Sequence, residues 1–141
     1  MNTIRQQLVD VALEWQRRYG VAPDITKALS EYDAAMLVGC SENDYSRFMQ
    51  PRTAVSKDHD FEHKGQRYQV SGNRPSGKPG SPVTKVTLKT RYNWDYFVWV
   101  HYYENYSIRE AWLWAVVDYK CEFQNRIRLG PNDMRKGKRI K

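Results

Sequence analysis

Tyr96–Tyr103 reads YFVWVHYY, an unbroken run of aromatic and β-branched residues interrupted by one histidine. A run this rich in stiff, bulky side chains predicts a strand. Side chains alternate across a strand, so Phe97, Trp99 and His101 share one face while Tyr96, Val98, Val100 and Tyr102 share the other. Both faces are bulky, so the strand must be central, with a layer packed against each side. That requirement favours a layered fold of helices and sheet.

The flanking sequence supplies the layers. Ile4, Leu8, Val11, Ala12, Trp15 and Tyr19 recur at helical spacing, with Arg17 and Arg18 in the last turn and Gly20 as a stop. Asp24 is the expected cap of a second helix carrying Ile25, Ala28, Leu29, Tyr32, Ala35 and Met36, and Ser41 caps a short third. After Pro51 the period changes to two. Asp60–His63 and Gln66–Ser71 predict strands around a Lys64-Gly65 turn, residues 72–82 (GNRPSGKPGSP) a loop, and Val83–Lys89 another half-buried strand. Ile108–Trp114 predicts a further strand and Val116–Gln124 a helix, with one turn over Pro131–Met134. The fold class is α+β: N-terminal helices, a four- to five-stranded mixed or antiparallel sheet, and a C-terminal helix.

Charge is distributed unevenly. Residues 63–94 hold seven Lys/Arg and no acid, and residues 126–141 hold seven against one, on a body that is otherwise mildly acidic. Two basic segments on such a body suit a polyanion, the Lys/Arg side chains displacing counterions condensed on its phosphates. No stretch approaches a transmembrane length, and residues 1–20 lack the apolar block of a secretory signal. Cys40 and Cys121 are too few for a disulfide scaffold, and no Cys/His cluster has zinc-like spacing. The expectation is a cytoplasmic protein with two buried thiols. Residues 1–125 form one domain and 126–141 a loosely packed basic tail.

Chemistry concentrates between Lys57 and Lys89. A hairpin turning at Lys64-Gly65 can bring the Asp60 carboxylate beside the Gln69 carboxamide oxygen, with the Val70 carbonyl as a third donor. Oxygen ligands of this kind suit a hard divalent cation such as Mg²⁺ or Mn²⁺, which activates water and neutralises charge on a phosphodiester. In the Gly/Pro-rich loop, Asn73, Arg74, Ser76 and Lys78 are candidate phosphate contacts, because glycine lets backbone N–H groups approach an anion. Arg135, Lys136, Lys138 and Arg139 add non-specific phosphate affinity. Each residue also has a plainer role open to it: Asp60 as a strand-end carboxylate, Glu31 as a solvent-facing helix residue, His59 and His63 as exposed loop histidines.

Asp60, the glycine turn and Tyr68-Gln69-Val70 resemble the core of the PD-(D/E)xK, or restriction-endonuclease-like, nuclease superfamily. Ile25–Leu37, containing Ser30-Glu31-Tyr32-Asp33, is similar to the Glu-bearing helix that precedes that core in small members. Asn73-Arg74-Pro75-Ser76-Gly77-Lys78-Pro79-Gly80-Ser81 is similar to a run found in small bacterial proteins of this type. The likeness spans residues 24–139. It implies a restriction-endonuclease-like core and Mg-dependent hydrolysis of DNA, with Asp60, Gln69, Val70 and Glu31 at the metal. It also implies structural roles for Trp94 and Asp95. A homodimer would give two sites, one for each strand.

One position departs from the pattern. The family places a lysine two residues after the Glu/Gln, and this chain has Ser71. A neutral hydroxyl cannot replace an ammonium electrostatically. A lysine has migrated (Lys57, Lys78 and Lys85 are the nearest), or cleavage is slow and metal-driven, or the scaffold binds nucleic acid without cutting it. A protein-interaction domain using exposed aromatics is the remaining alternative, and it predicts no salt-sensitive DNA affinity.

Overall fold

The computed structural model describes residues 3–53, 59–76, 78 and 80–141. Three helices come first: α1 (Ile4–Tyr19), α2 (Thr26–Leu37) and α3 (Glu42–Met49). Strands β1 (Phe61–His63), β2 (Gln66–Asn73), β3 (Tyr96–Tyr102) and β4 (Ile108–Ala115) follow, then α4 (Val116–Phe123), α5 (Pro131–Met134) and the two-residue β5 (Lys138–Arg139). The strands make one mixed sheet in the order β1-β2-β3-β4-β5, with β2 and β3 parallel and all other pairs antiparallel. Among the described residues no helix is long and apolar enough to cross a membrane.

Tyr96–Tyr102 is the central strand, as its sequence requires. Val98, Val100 and Tyr102 enter a core with Val9, Ala12, Leu29, Ala34, Ala35 and Phe61 beneath the N-terminal helices. Phe97 and Trp99 enter a second core with Trp94, Trp114, Tyr119, Phe123, Leu129 and Met134 on the opposite face. The aromatics are therefore mostly core. Trp94, Trp99, Tyr102 and Trp114 are buried, while Tyr103 is exposed.

The β1–β2 hairpin turns on Lys64 (φ 51°) and Gly65 (φ 76°), both left-handed, which matches the twist of the flanking strands. Its register pairs Phe61 with Tyr68 and His63 with Gln66. Gly72 lets β2 approach α2 closely: a Cβ there would lie 2.5 Å from Ser30 Cβ. At the other end, Arg5 makes paired bonds to Asp33 (2.7 and 2.8 Å) and a third to the Tyr106 carbonyl, tying α1 to α2 and the β3–β4 turn.

Several expectations are corrected. Val83–Lys89 is not a strand; only Val86 forms a bridge, to Leu129, and the Lys89 N–H donates to the Tyr119 hydroxyl instead of to a neighbouring strand. Its alternation is satisfied by packing Val86 onto the α4 layer. Helix α2 begins at Thr26 with Ile25 at the cap and no side-chain cap bond. Cys121 is exposed, whereas Cys40 is buried. Residues 126–141 are not loosely packed: Leu129 and Met134 fill the second core, and β5 extends the sheet beside β4. In that segment the charges occupy outward positions and the sparse apolar residues point inward, a pattern that total charge conceals.

Candidate functional site

The sheet register carries Asp60 and Gln69 to the same place. Asp60 immediately precedes β1, its N–H donates to the Tyr68 carbonyl (2.8 Å), and the next position along β2 is Gln69. The Asp60 and Gln69 side chains both line one cleft of about 380 Å³. The Val70 N–H donates to Asp60 Oδ2 (2.7 Å), which fixes the carboxylate. The N–H and C=O of one strand residue point the same way, so the Val70 carbonyl faces the edge occupied by Asp60. Ser71 and Gly72 continue the wall, and Asp24, Thr26, Lys27 and Ser30 supply the α2 side.

Glu31 lies buried close to Asp60. Burial first, then the negative charge of Asp60, pushes the Glu31 carboxyl up to about 7, partly offset by Lys27 and Arg52. Two carboxylates this close need a shared proton or a cation between them. Tyr45 feels the same pair, its hydroxyl raised by burial and then by Glu31 and Asp60.

The cleft holds a cation that sequence spacing did not reveal. Lys89 lines it with Asp60 and Gln69; burial lowers its pKa, and Asp60 pulls it back up. Of the lysines considered from sequence, Lys57 lies outside the described residues, Lys85 is exposed and away from the cleft, and Lys78 is exposed beside a neighbouring cavity. What locates Lys89 is topology. Because β2 and β3 are parallel, the chain must travel back from Asn73 to Tyr96, beside Tyr68, and it passes Gln69 on the way. Parallel pairing of the Gln66–Asn73 and Tyr96–Tyr102 strands was the signal.

His59 also lines the cleft. Its Nε2 is 2.8 Å from Glu62 Oε1 but out of line for a hydrogen bond, and its Nδ1 is buried without a partner. His63 is not part of the wall; its Nε2 lies near Gly39.

The basic residues divide into two groups. Arg74, Ser76 and Lys78 border a second cavity of about 320 Å³ that shares Asp24 and Thr26 with the first, so the two lie side by side. Within it Arg74 stacks on Tyr106 (4.2 Å) and donates to the Glu104 carbonyl and Gln16 Oε1, while Asn73 Oδ1 accepts from Trp99 Nε1. Lys78 projects freely into solvent, but Gly77 and Pro79 are outside the described residues. The second group sits towards the far edge, beyond β4. Arg135 grips Glu110 through two bonds (2.8 and 2.6 Å), Lys136 lies near Glu122 and Asp133, and Arg139 stacks over Trp112; Lys138 is exposed. These residues do not reach the cleft.

Among the described residues, no group of three or more His, Cys, Asp or Glu side chains is placed to hold a metal. The cleft wall offers instead the Asp60 carboxylate with the Gln69 carboxamide and Val70, while Glu31 lies behind Asp60 and does not line it. All are hard oxygen donors, and the charge repulsion between Glu31 and Asp60 is one that a divalent cation relieves. No family model matches the chain, and no curated protein matches its sequence.

Proposed function

We propose that this protein binds DNA across the two adjoining cavities and hydrolyses a phosphodiester at the cleft, as a divalent-metal-dependent endonuclease on a restriction-endonuclease-like core. The observation that carries the reading is the convergence of Asp60, Gln69 and Lys89 on one cleft, with Glu31 behind Asp60. Asp60, Gln69, the Val70 carbonyl and Glu31 are the residues to hold Mg²⁺ or Mn²⁺. Bound there, the metal would polarise the phosphate and lower the pKa of a coordinated water.

The chain's own residues do the rest. Lys89 presents an ammonium from the opposite wall, in surroundings where burial strengthens its pull on the charge that develops on phosphate oxygens. That supplies the electrostatic role left open by Ser71. Lys27 adds positive charge from α2 and Thr26 lines the cleft beside it, while the Ser30 hydroxyl donates to the Lys27 carbonyl and helps hold this turn of the helix. Lys78 and Ser76 extend the track through the adjoining cavity. Lys138, on the distant edge, adds long-range attraction only.

The second reading, binding without cleavage, is favoured by Ser71 in the place of the motif lysine. Incubating supercoiled plasmid and Mg²⁺ or Mn²⁺ with the protein, Asp60→Ala and Lys89→Ala separates them. Nicking by the parent that both substitutions abolish supports the enzyme. Retention of DNA in a gel shift without nicking supports the binding module, and absence of any salt-sensitive DNA affinity removes both.

A further inference from the structure

Helix α1 exposes the residues that give it its helical pattern. Only Val9 and Ala12 are buried, while Ile4 is 75%, Leu8 40%, Val11 63%, Trp15 52% and Tyr19 66% exposed. At 100° per residue these five fall within one narrow stripe, beside the buried face. The stripe is held rigidly: Arg5 anchors the helix to Asp33 and the Tyr106 carbonyl, and Trp15 packs edge-on against Tyr19 (4.9 Å). A contiguous apolar stripe of this kind marks an interface.

We infer that α1 is the dimer interface of this protein, with the stripe packed antiparallel against the same stripe of a second copy. Two features select a second copy over another partner. First, Ile4 and Tyr19, and likewise Leu8 and Trp15, lie equally far on either side of a point just past Val11, while Ala12 across that point is turned into the core. A two-fold axis at that point sets Ile4 opposite the partner's Tyr19 and Leu8 opposite the partner's Trp15, smaller against larger, with Val11 at the axis. Such self-complementarity is what an isologous interface requires. Second, the area suffices. With aromatic side chains offering ~150–250 Å² each, two such stripes bury on the order of 1,200 Å², the lower end of a stable interface. The dimer stands whether or not the cleft cuts DNA.

Sedimentation equilibrium of the full chain at micromolar concentration tests it, and twice the chain mass is expected. Val11→Glu sets two carboxylates together at the axis and should give a monomer with unchanged circular dichroism and a lower melting temperature that no longer depends on concentration, whereas Val117→Glu, at an exposed position on α4, should leave the dimer intact. Orientation is read in a Cys121→Ser background by mixing Ile4→Cys and Tyr19→Cys proteins under mild oxidant. A mixed disulfide species is expected, and self-cross-linking of Ile4→Cys is not. A monomeric parent, a dimer indifferent to Val11→Glu, or cross-links between like positions only would overturn the inference.

Discussion

Asp60 Oδ2 accepts the Val70 N–H at 2.7 Å, so the first candidate metal ligand is held in place by the strand that carries the second. The charge of the same carboxylate, after burial, raises the neighbouring Glu31 carboxyl. Stability and function are therefore opposed at this point.

Asp60→Asn keeps an oxygen for the Val70 N–H and removes the like charge beside Glu31. The melting temperature should stay level or rise while Mn²⁺-dependent nicking falls by roughly 10²-fold or more. A variant that melts lower and still nicks contradicts the assignment of Asp60.

Lys89→Met removes a desolvated cation but keeps most of its aliphatic bulk. Nicking should fall about 10²–10³-fold with melting unchanged or improved, because the ammonium gains little from its surroundings without a phosphate. Lys89→Arg should restore part of the rate. Equal rates for Met and parent would show that the cation plays no part.

Gly72→Ala should destabilise by about 1–3 kcal/mol in urea unfolding, since the new methyl meets Ser30 Cβ at 2.5 Å. Relief of that clash pushes α2 away from β2, so nicking should fall as well. Pairing it with Ser30→Gly should recover both.

At the other edge, Glu110 accepts from Arg135, His101 Nδ1 and Trp112 Nε1, and these bonds, Arg135 foremost, hold its carboxyl down to about 2 against the cost of burial. A carboxyl depressed in the folded state contributes stability above its ordinary pKa of 4.5 and loses it as pH falls towards 2. His101, lowered chiefly by burial, also binds its proton less readily when folded and adds to the loss in acid. Stability should therefore fall by about 2 kcal/mol between pH 5 and 2 through Glu110 alone, and Glu110→Gln should flatten that limb. Arg135→Ala should cost about 1–3 kcal/mol by removing the strongest of the carboxylate's partners while His101 and Trp112 remain, with DNA affinity little changed.

Some of this architecture could be read directly from residue order. YFVWVHYY demands two covering layers, and the Lys64-Gly65 turn folds Asp60 back onto Tyr68-Gln69-Val70, so the central strand and the nearness of Asp60 to Gln69 follow from local rules. Lys89 does not. Its position depends on β2 and β3 being parallel, a long-range choice that no local pattern near Lys89 encodes. Residues 126–141 mislead for another reason: Leu129 and Met134 are two inward residues among many charges, and average composition hides them. In α1 the helical period is correct, but periodicity identifies an apolar stripe without saying whether the chain itself covers it.

The parallel pairing of β2 with β3 also sets the order in which the site can be completed. Asp60 and Gln69 meet as soon as a short hairpin closes, whereas Lys89 arrives only after the whole crossover has folded back and Tyr119 has docked. A nascent or partly unfolded chain thus carries its acids without their counter-cation, which confines any cutting competence to molecules that have finished folding.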